Sequence, residues 1–150
     1  MPGPMSRAGR VAATLDIGPV TDREGGHERP GGDHRRATRQ SNLIACETAL
    51  EAAGMAIQLV LRVPAPLKSL ADQVVRAASS VAANLSEGQG RCGRDRMQHW
   101  RIAYGSAREV ECHLRLLVHA GVVDRRRATT ALNLFDEVRA MTWRLLHPTA

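Results

Sequence analysis

The sequence predicts an all-α fold, an antiparallel up-down-up-down four-helix bundle with a disordered N-terminal tail. Three observations carry that expectation. From Ser41 onward, four segments repeat their apolar residues at 3-4-3-4 spacing, the mark of one buried helix face. No segment shows the strict alternation of a half-buried strand. Among 150 residues only Trp100, Tyr104, Phe135 and Trp143 are aromatic, so the core is built of Ala, Leu, Val and Ile, which suits closely packed helices.

Residues 1–40 hold most of the glycine and proline and have no apolar period, which predicts a disordered Gly/Pro/Arg-rich tail. Arg35, Arg36 and Arg39 could make it a basic arm, but Asp22, Glu24, Glu28 and Asp33 dilute that charge. The bundle is expected over residues 41–148. Its first helix carries Leu43, Cys46, Leu50, Ala53, Ile57 and Val60 on one face. Pro64 and Pro66 stop it and seed the second, which carries Leu67, Leu70, Val74, Ala77 and Val81, with Asn84 in the next core slot and Gly88 beyond it. The third carries Trp100, Ala103, Ala107, Val110, Leu114 and Leu117 and ends at Gly121, a C-terminal cap. Asp124 caps the fourth, whose face is Ala128, Ala131, Phe135, Val138 and Leu145. Helices of about 20 residues joined by short connections pack antiparallel to their neighbours.

The net charge of +6 comes almost wholly from arginine, Lys68 being the lone lysine. Such an excess permits a nucleic-acid partner without requiring one. Cys46, Cys92 and Cys112 form no CxxC pair, so neither a zinc knuckle nor a disulfide framework is expected, and each reads as a small apolar residue in a reducing compartment. No signal-peptide run and no stretch of about 18 apolar residues is present, which predicts a soluble cytoplasmic protein.

Two patterns stand out as candidate sites. Gln73, Arg76, Ser80, Asn84, Glu87 and Arg91 follow one another at 3, 4, 4, 3 and 4 residues and fall within an arc of roughly 80° on the second helix. Gly105, Ser106, Glu109 and His113 share a face of the third, with Gly105 leaving room for a neighbouring backbone. These two polar faces can satisfy each other, Glu87 and Glu109 pairing with Arg76 or Arg91, as a network between helices or subunits. Such a network must be nearly complete, since an unpaired buried group costs about 1–3 kcal/mol. The second pattern is a row of Arg94, Arg101, Arg108 and Arg115, seven apart and thus about 10 Å from one to the next. Guanidinium groups grip phosphate oxygens bidentately, which makes this row the best candidate for nucleic-acid contact, weighed against a plain solvated face. Arg125, Arg126 and Arg127 add a second cluster where cations oppose the helix dipole.

Other chemistry is poorly supported. Gly88, Gly90 and Gly93 spell G-x-G-x-x-G, but a dinucleotide loop follows a strand and this one follows a helix. Glu109 and His113 stand i, i+4 and with Glu87 could bind a metal or small molecule, yet the repeated Glu-x-x-His of bundle metal sites is missing. His99, His119 and His147 share no ligand spacing, and no nucleophile has an evident base. No catalytic residue, metal or cofactor is expected.

RAASSVAANLSEGQGR resembles the signature of the bacterial four-helix-bundle proteins named for the intervening sequences of 23S ribosomal RNA, and AYGSAREVECHLRLLVHAGVV resembles their third helix. Ser80, Asn84, Glu87, Gly88, Arg91, Gly105, Ser106 and Glu109 match, over a resemblance spanning about residues 42–147. Ala82 stands where proline is common, Ser86 where alanine is, and the acidic, aromatic start of the family's first helix is poorly matched. The resemblance implies a homopentameric ring of bundles and kinship with the accessory protein of diversity-generating retroelements, a basic barrel that binds a reverse transcriptase and nucleic acid. It supplies no catalytic residue. The combined expectation is a non-enzymatic oligomer that binds RNA or DNA through surface arginines, the alternative being a protein-interaction scaffold.

Overall fold

Alanine decides how the first helix packs. In the computed structural model, which describes residues 32–148, α1 runs Gly32–Val60, α2 Lys68–Gly90, α3 Gly93–His119 and α4 Arg125–Leu146. Each helix packs against its two sequence neighbours around a square, α4 closing on α1, which is the up-down-up-down arrangement. Ala45, Ala49, Ala52 and Ala56 of α1 are wholly buried, and their small side chains let the flanking α2 and α4 approach closely. Among the described residues there is no strand.

The face expected for α1 is therefore split. Cys46, Ala53 and Val60 point into the core as expected, but Leu43 and Leu50 are 48% and 64% exposed and Leu61 is 72% exposed. At about 100° per residue, Leu43, Leu50 and Ile57 lie within roughly 40° of one another on α1, and Leu61 follows just past its end. The 3-4-3-4 repeat thus merged two faces, alanines inward and leucines outward. The same double apolarity makes Arg39–Val60 long and apolar enough to cross a membrane by length and composition, contrary to the expectation that no stretch qualifies. α1 also starts upstream of residue 41, so residues 32–40, expected in the tail, are helical. The disorder expected for residues 1–31 lies outside the described residues.

The remaining cores match their predicted faces. Trp100, Ala103, Ala107, Val110, Leu114 and Leu117 of α3 are all buried, as are Ala128, Ala131, Phe135, Val138 and Leu145 of α4, joined by Thr142, whose hydroxyl donates to the Val138 carbonyl at 2.7 Å. In α2 the buried row runs Val74, Ala77, Val81, Leu85, Gly88, so Leu85 rather than Asn84 fills the core slot and Asn84 stands half-buried at its edge.

The turns follow from their residues. After α1, Pro64 opens a short 3-10 turn at Ala65–Leu67 that leads into α2. Gly93 (φ +56°) reverses the chain into α3. Gly121 (φ +73°) ends α3, with Val122 N–H donating to the Leu117 carbonyl and Gly121 N–H to the Val118 carbonyl, a Schellman pairing. Asp124 caps α4 by accepting from Arg127 N–H at 2.8 Å. Cys46 is buried, its thiol pKa raised first by burial and then by Glu47, while Cys92 and Cys112 are exposed.

Candidate nucleic-acid interface

The α2–α3 turn is held by side chains that reach across it. Ser80 and Ser106 hydroxyls meet at 2.9 Å; Asn84 Nδ2 donates to the Ser80 carbonyl at 2.9 Å and to its hydroxyl at 3.2 Å. Asn84 Oδ1 lies 3.0 Å from His99 Nδ1, His99 Nε2 lies 3.7 Å from Asp95, and Asp95 lies 3.3 Å from Arg91, which donates to Glu87. One continuous polar chain thus runs Ser106, Ser80, Asn84, His99, Asp95, Arg91, Glu87. Four members come from the predicted α2 stripe, but His99 and Asp95 were missed; their spacing from Arg91 at i+8 and i+4 was the available signal. Gln73 and Arg76 take no part among the described residues, and Glu109 meets only His113, at 3.8 Å.

The same turn is sealed by Arg96, whose Nε donates to the Arg91 carbonyl at 2.6 Å and the Gly88 carbonyl at 3.2 Å. A cation here satisfies carbonyls left open at the end of α2 and complements its dipole. Arg96 also covers the buried Trp100 ring, 5.6 Å from its centre. Trp100 in turn lies on Gly88, where an added Cβ would stand 2.6 Å from the indole nitrogen. The G-x-G-x-x-G glycines are therefore a helix end and a turn, as expected.

The Glu87 carboxyl has a pKa below the ordinary value. The Arg91 hydrogen bond, then the Arg91 charge, lowers it, and Glu87 raises Arg91 in return. A lowered folded pKa means the pair contributes above the ordinary carboxylate value of about 4.3 and is lost as pH falls through the lower folded one. A carbon-detected NMR titration of Glu87 should show a midpoint below that value, and Arg91→Gln should restore it. An unshifted midpoint in the unsubstituted protein contradicts the pairing.

The proposed metal or ligand trio does not assemble. The register that sets Ser80 against Ser106 carries Glu109 to the level of Ala77, about 15 Å along the bundle from Glu87. Among the described residues no three His, Cys, Asp or Glu side chains converge. Gly105 is exposed, and a Cβ added to it would meet nothing within 4 Å, so within one chain no neighbouring backbone lies against it and it opens a surface groove.

The arginine row is exposed along α3 and spans about 30 Å from end to end. A seven-residue repeat drifts about 20° per heptad, so the row winds around the helix. Arg94 and Arg101 border a groove of about 1000 Å³ between the starts of α1 and α3 and the end of α4. Arg101 and Arg108 border a second, of about 370 Å³, against α4. Arg115 has turned into an ion-pair cluster, where it and Arg139 of α4 share Glu111 at 2.8 and 2.9 Å. Among the described residues no carboxylate lies within 4.0 Å of Arg94, Arg101 or Arg108. Arg125, Arg126 and Arg127 are exposed at the opposite end of the bundle from Arg94. Arg144, on the rim of the larger groove, was not among the expected residues. It falls near α3 only because α4 returns antiparallel, which its own sequence segment does not announce.

A search of the curated proteins finds no match. Among solved structures, the chain is similar to a protein of unknown function from the S23 ribosomal protein family of Bacteroides thetaiotaomicron VPI-5482, at 22% identity, a TM-score of 0.65, and coverage of 71% of this chain and 97% of that one. That likeness establishes the bundle. The family model of the 23S rRNA-intervening sequence protein matches residues 41–144, all four helices apart from the first nine residues of α1 and the last two of α4. With its Ser80–Asn84–Glu87 network and four antiparallel helices in place, the chain belongs to the 23S rRNA-intervening sequence protein family.

Proposed function

We propose that this protein is a non-enzymatic, cytoplasmic homo-oligomer that binds RNA or DNA through its surface arginines. The observation that carries the reading is the row Arg94, Arg101 and Arg108, exposed and without carboxylate partners among the described residues on a chain of net charge +6. Arg125, Arg126 and Arg127 extend it. Guanidinium groups left free to face solvent are available to phosphate, whereas Arg115, shared with Glu111, is not.

The outward leucines of α1 support the oligomer. Leu43 and Leu50, seven apart on α1, and Leu61 just past its end are left uncovered by the described residues, and heptad-spaced leucines suit a seam along which helices of separate copies associate. Five copies, as the family resemblance implies, would multiply a modest basic patch into a multivalent surface. The same leucines also suit a protein partner such as a reverse transcriptase, which keeps the scaffold reading as the alternative.

Fluorescence anisotropy of the full chain against structured RNA and duplex DNA tests the reading. Binding that falls steeply between 50 and 200 mM salt is expected, because each phosphate neutralised releases counterions. No binding at 50 mM salt overturns the nucleic-acid reading and leaves the scaffold.

A further inference from the structure

The smaller groove pairs two free arginines with aromatic rings. Its floor is Gly105 of α3, where the missing side chain leaves open space. One wall is Trp143 of α4, 51% exposed, stacked on His147 with ring centres 3.8 Å apart. Tyr104 stands against Trp143 at 5.9 Å, tilted by 48°. Arg101 and Arg108, two helical turns apart, flank the trough. Its volume of about 370 Å³ falls within the roughly 300–1,000 Å³ of small-ligand sites.

We propose that this groove takes an unpaired nucleobase of single-stranded nucleic acid, resting on the phosphate-binding reading above. An exposed indole fixed by its neighbour presents a flat apolar face that any base can stack on. Arginines on either side suit the phosphates that flank one base. A duplex holds its bases in the stack and cannot offer one to the trough. The groove thus separates single-stranded from duplex ligands, which the arginine row alone does not.

The test uses the full chain, oligo-dT and a duplex of equal length at low salt, read by anisotropy and by intrinsic fluorescence. The chain has two tryptophans, and Trp100 is 3% exposed, so quenching reports on Trp143. Oligo-dT is expected to quench, and the duplex is not. Trp143→Ala should weaken oligo-dT about 10–100-fold, Trp143→Phe less than threefold, and duplex binding should change less than twofold. Circular dichroism checks that both variants are folded. Oligo-dT binding without quenching, or equal weakening of both ligands by Trp143→Ala, overturns the base site while the phosphate reading stands. A concentration-dependent blue shift without nucleic acid shows a second copy covering Trp143 and also overturns it. Failure of both ligands to bind overturns the phosphate reading and the base site together.

Discussion

Gly88→Ala is expected to destabilise the bundle by about 1–3 kcal/mol, lowering the melting temperature by several degrees. The added methyl would stand 2.6 Å from the Trp100 indole nitrogen and 2.7 Å from its Cδ1, closer than real Cβ contacts, so the buried indole must shift. Arg96 covers the ring and also holds the α2 carbonyls, so a shifted indole disturbs the cap as well as the core. The glycine exists for close approach, not for unusual backbone, since it is helical. Gly54→Ala supplies the control. It lies within α1 with nothing within 4 Å of its added Cβ, and helix propensity favours alanine there by about 1 kcal/mol. Urea unfolding of the two variants should move in opposite directions, and a Gly88→Ala protein as stable as its parent refutes the packing account.

Leu43→Asp with Leu50→Asp is expected to convert the proposed oligomer to monomers while leaving the helices formed. Both side chains already face solvent in a single chain, at 48% and 64% exposure, so the charge enters no core. In a seam between copies, each leucine contributes about 1.5–3 kcal/mol of burial, so losing both should raise the dissociation constant by at least a hundredfold. Sedimentation velocity reads the change directly. If the doubly substituted protein sediments as its parent does, the α1 leucines are not the contact between copies.

The faces of α3 and α4 were legible in the sequence because each carries a single apolar stripe against charged residues. Trp100 to Leu117 and Ala128 to Leu145 are buried where their spacing placed them. α1 was misread for a physical reason. Its apolar residues cover more than one face, and period alone cannot rank alanine above leucine for the core when the interior has room only for the smaller side chain. The polar network was half legible. Ser80, Asn84, Glu87 and Arg91 announced themselves as a stripe; Asp95 was available only through its four-residue spacing from Arg91, and the His99–Asn84 contact only through the antiparallel return of α3, a tertiary fact. The same return separates Glu109 from Glu87 and brings Arg144 and Trp143 beside the arginine row. The engagement of Arg115 was legible, because Glu111 stands four residues before it, but the second claim on that carboxylate was not. The Arg139 that competes with Arg115 for Glu111 stands on another helix.

Whether Arg101 and Arg108 hold phosphates, as proposed, is read from the salt dependence of binding. Affinity for one duplex should be measured from 50 to 200 mM salt for the parent protein and for Arg101→Ala with Arg108→Ala. Two lost contacts should flatten the log–log slope by about 1.8 for each engaged subunit, with weaker binding at low salt and an unchanged helical spectrum. Superimposable lines for the two proteins would contradict the claim and place the phosphate contacts elsewhere on the molecule.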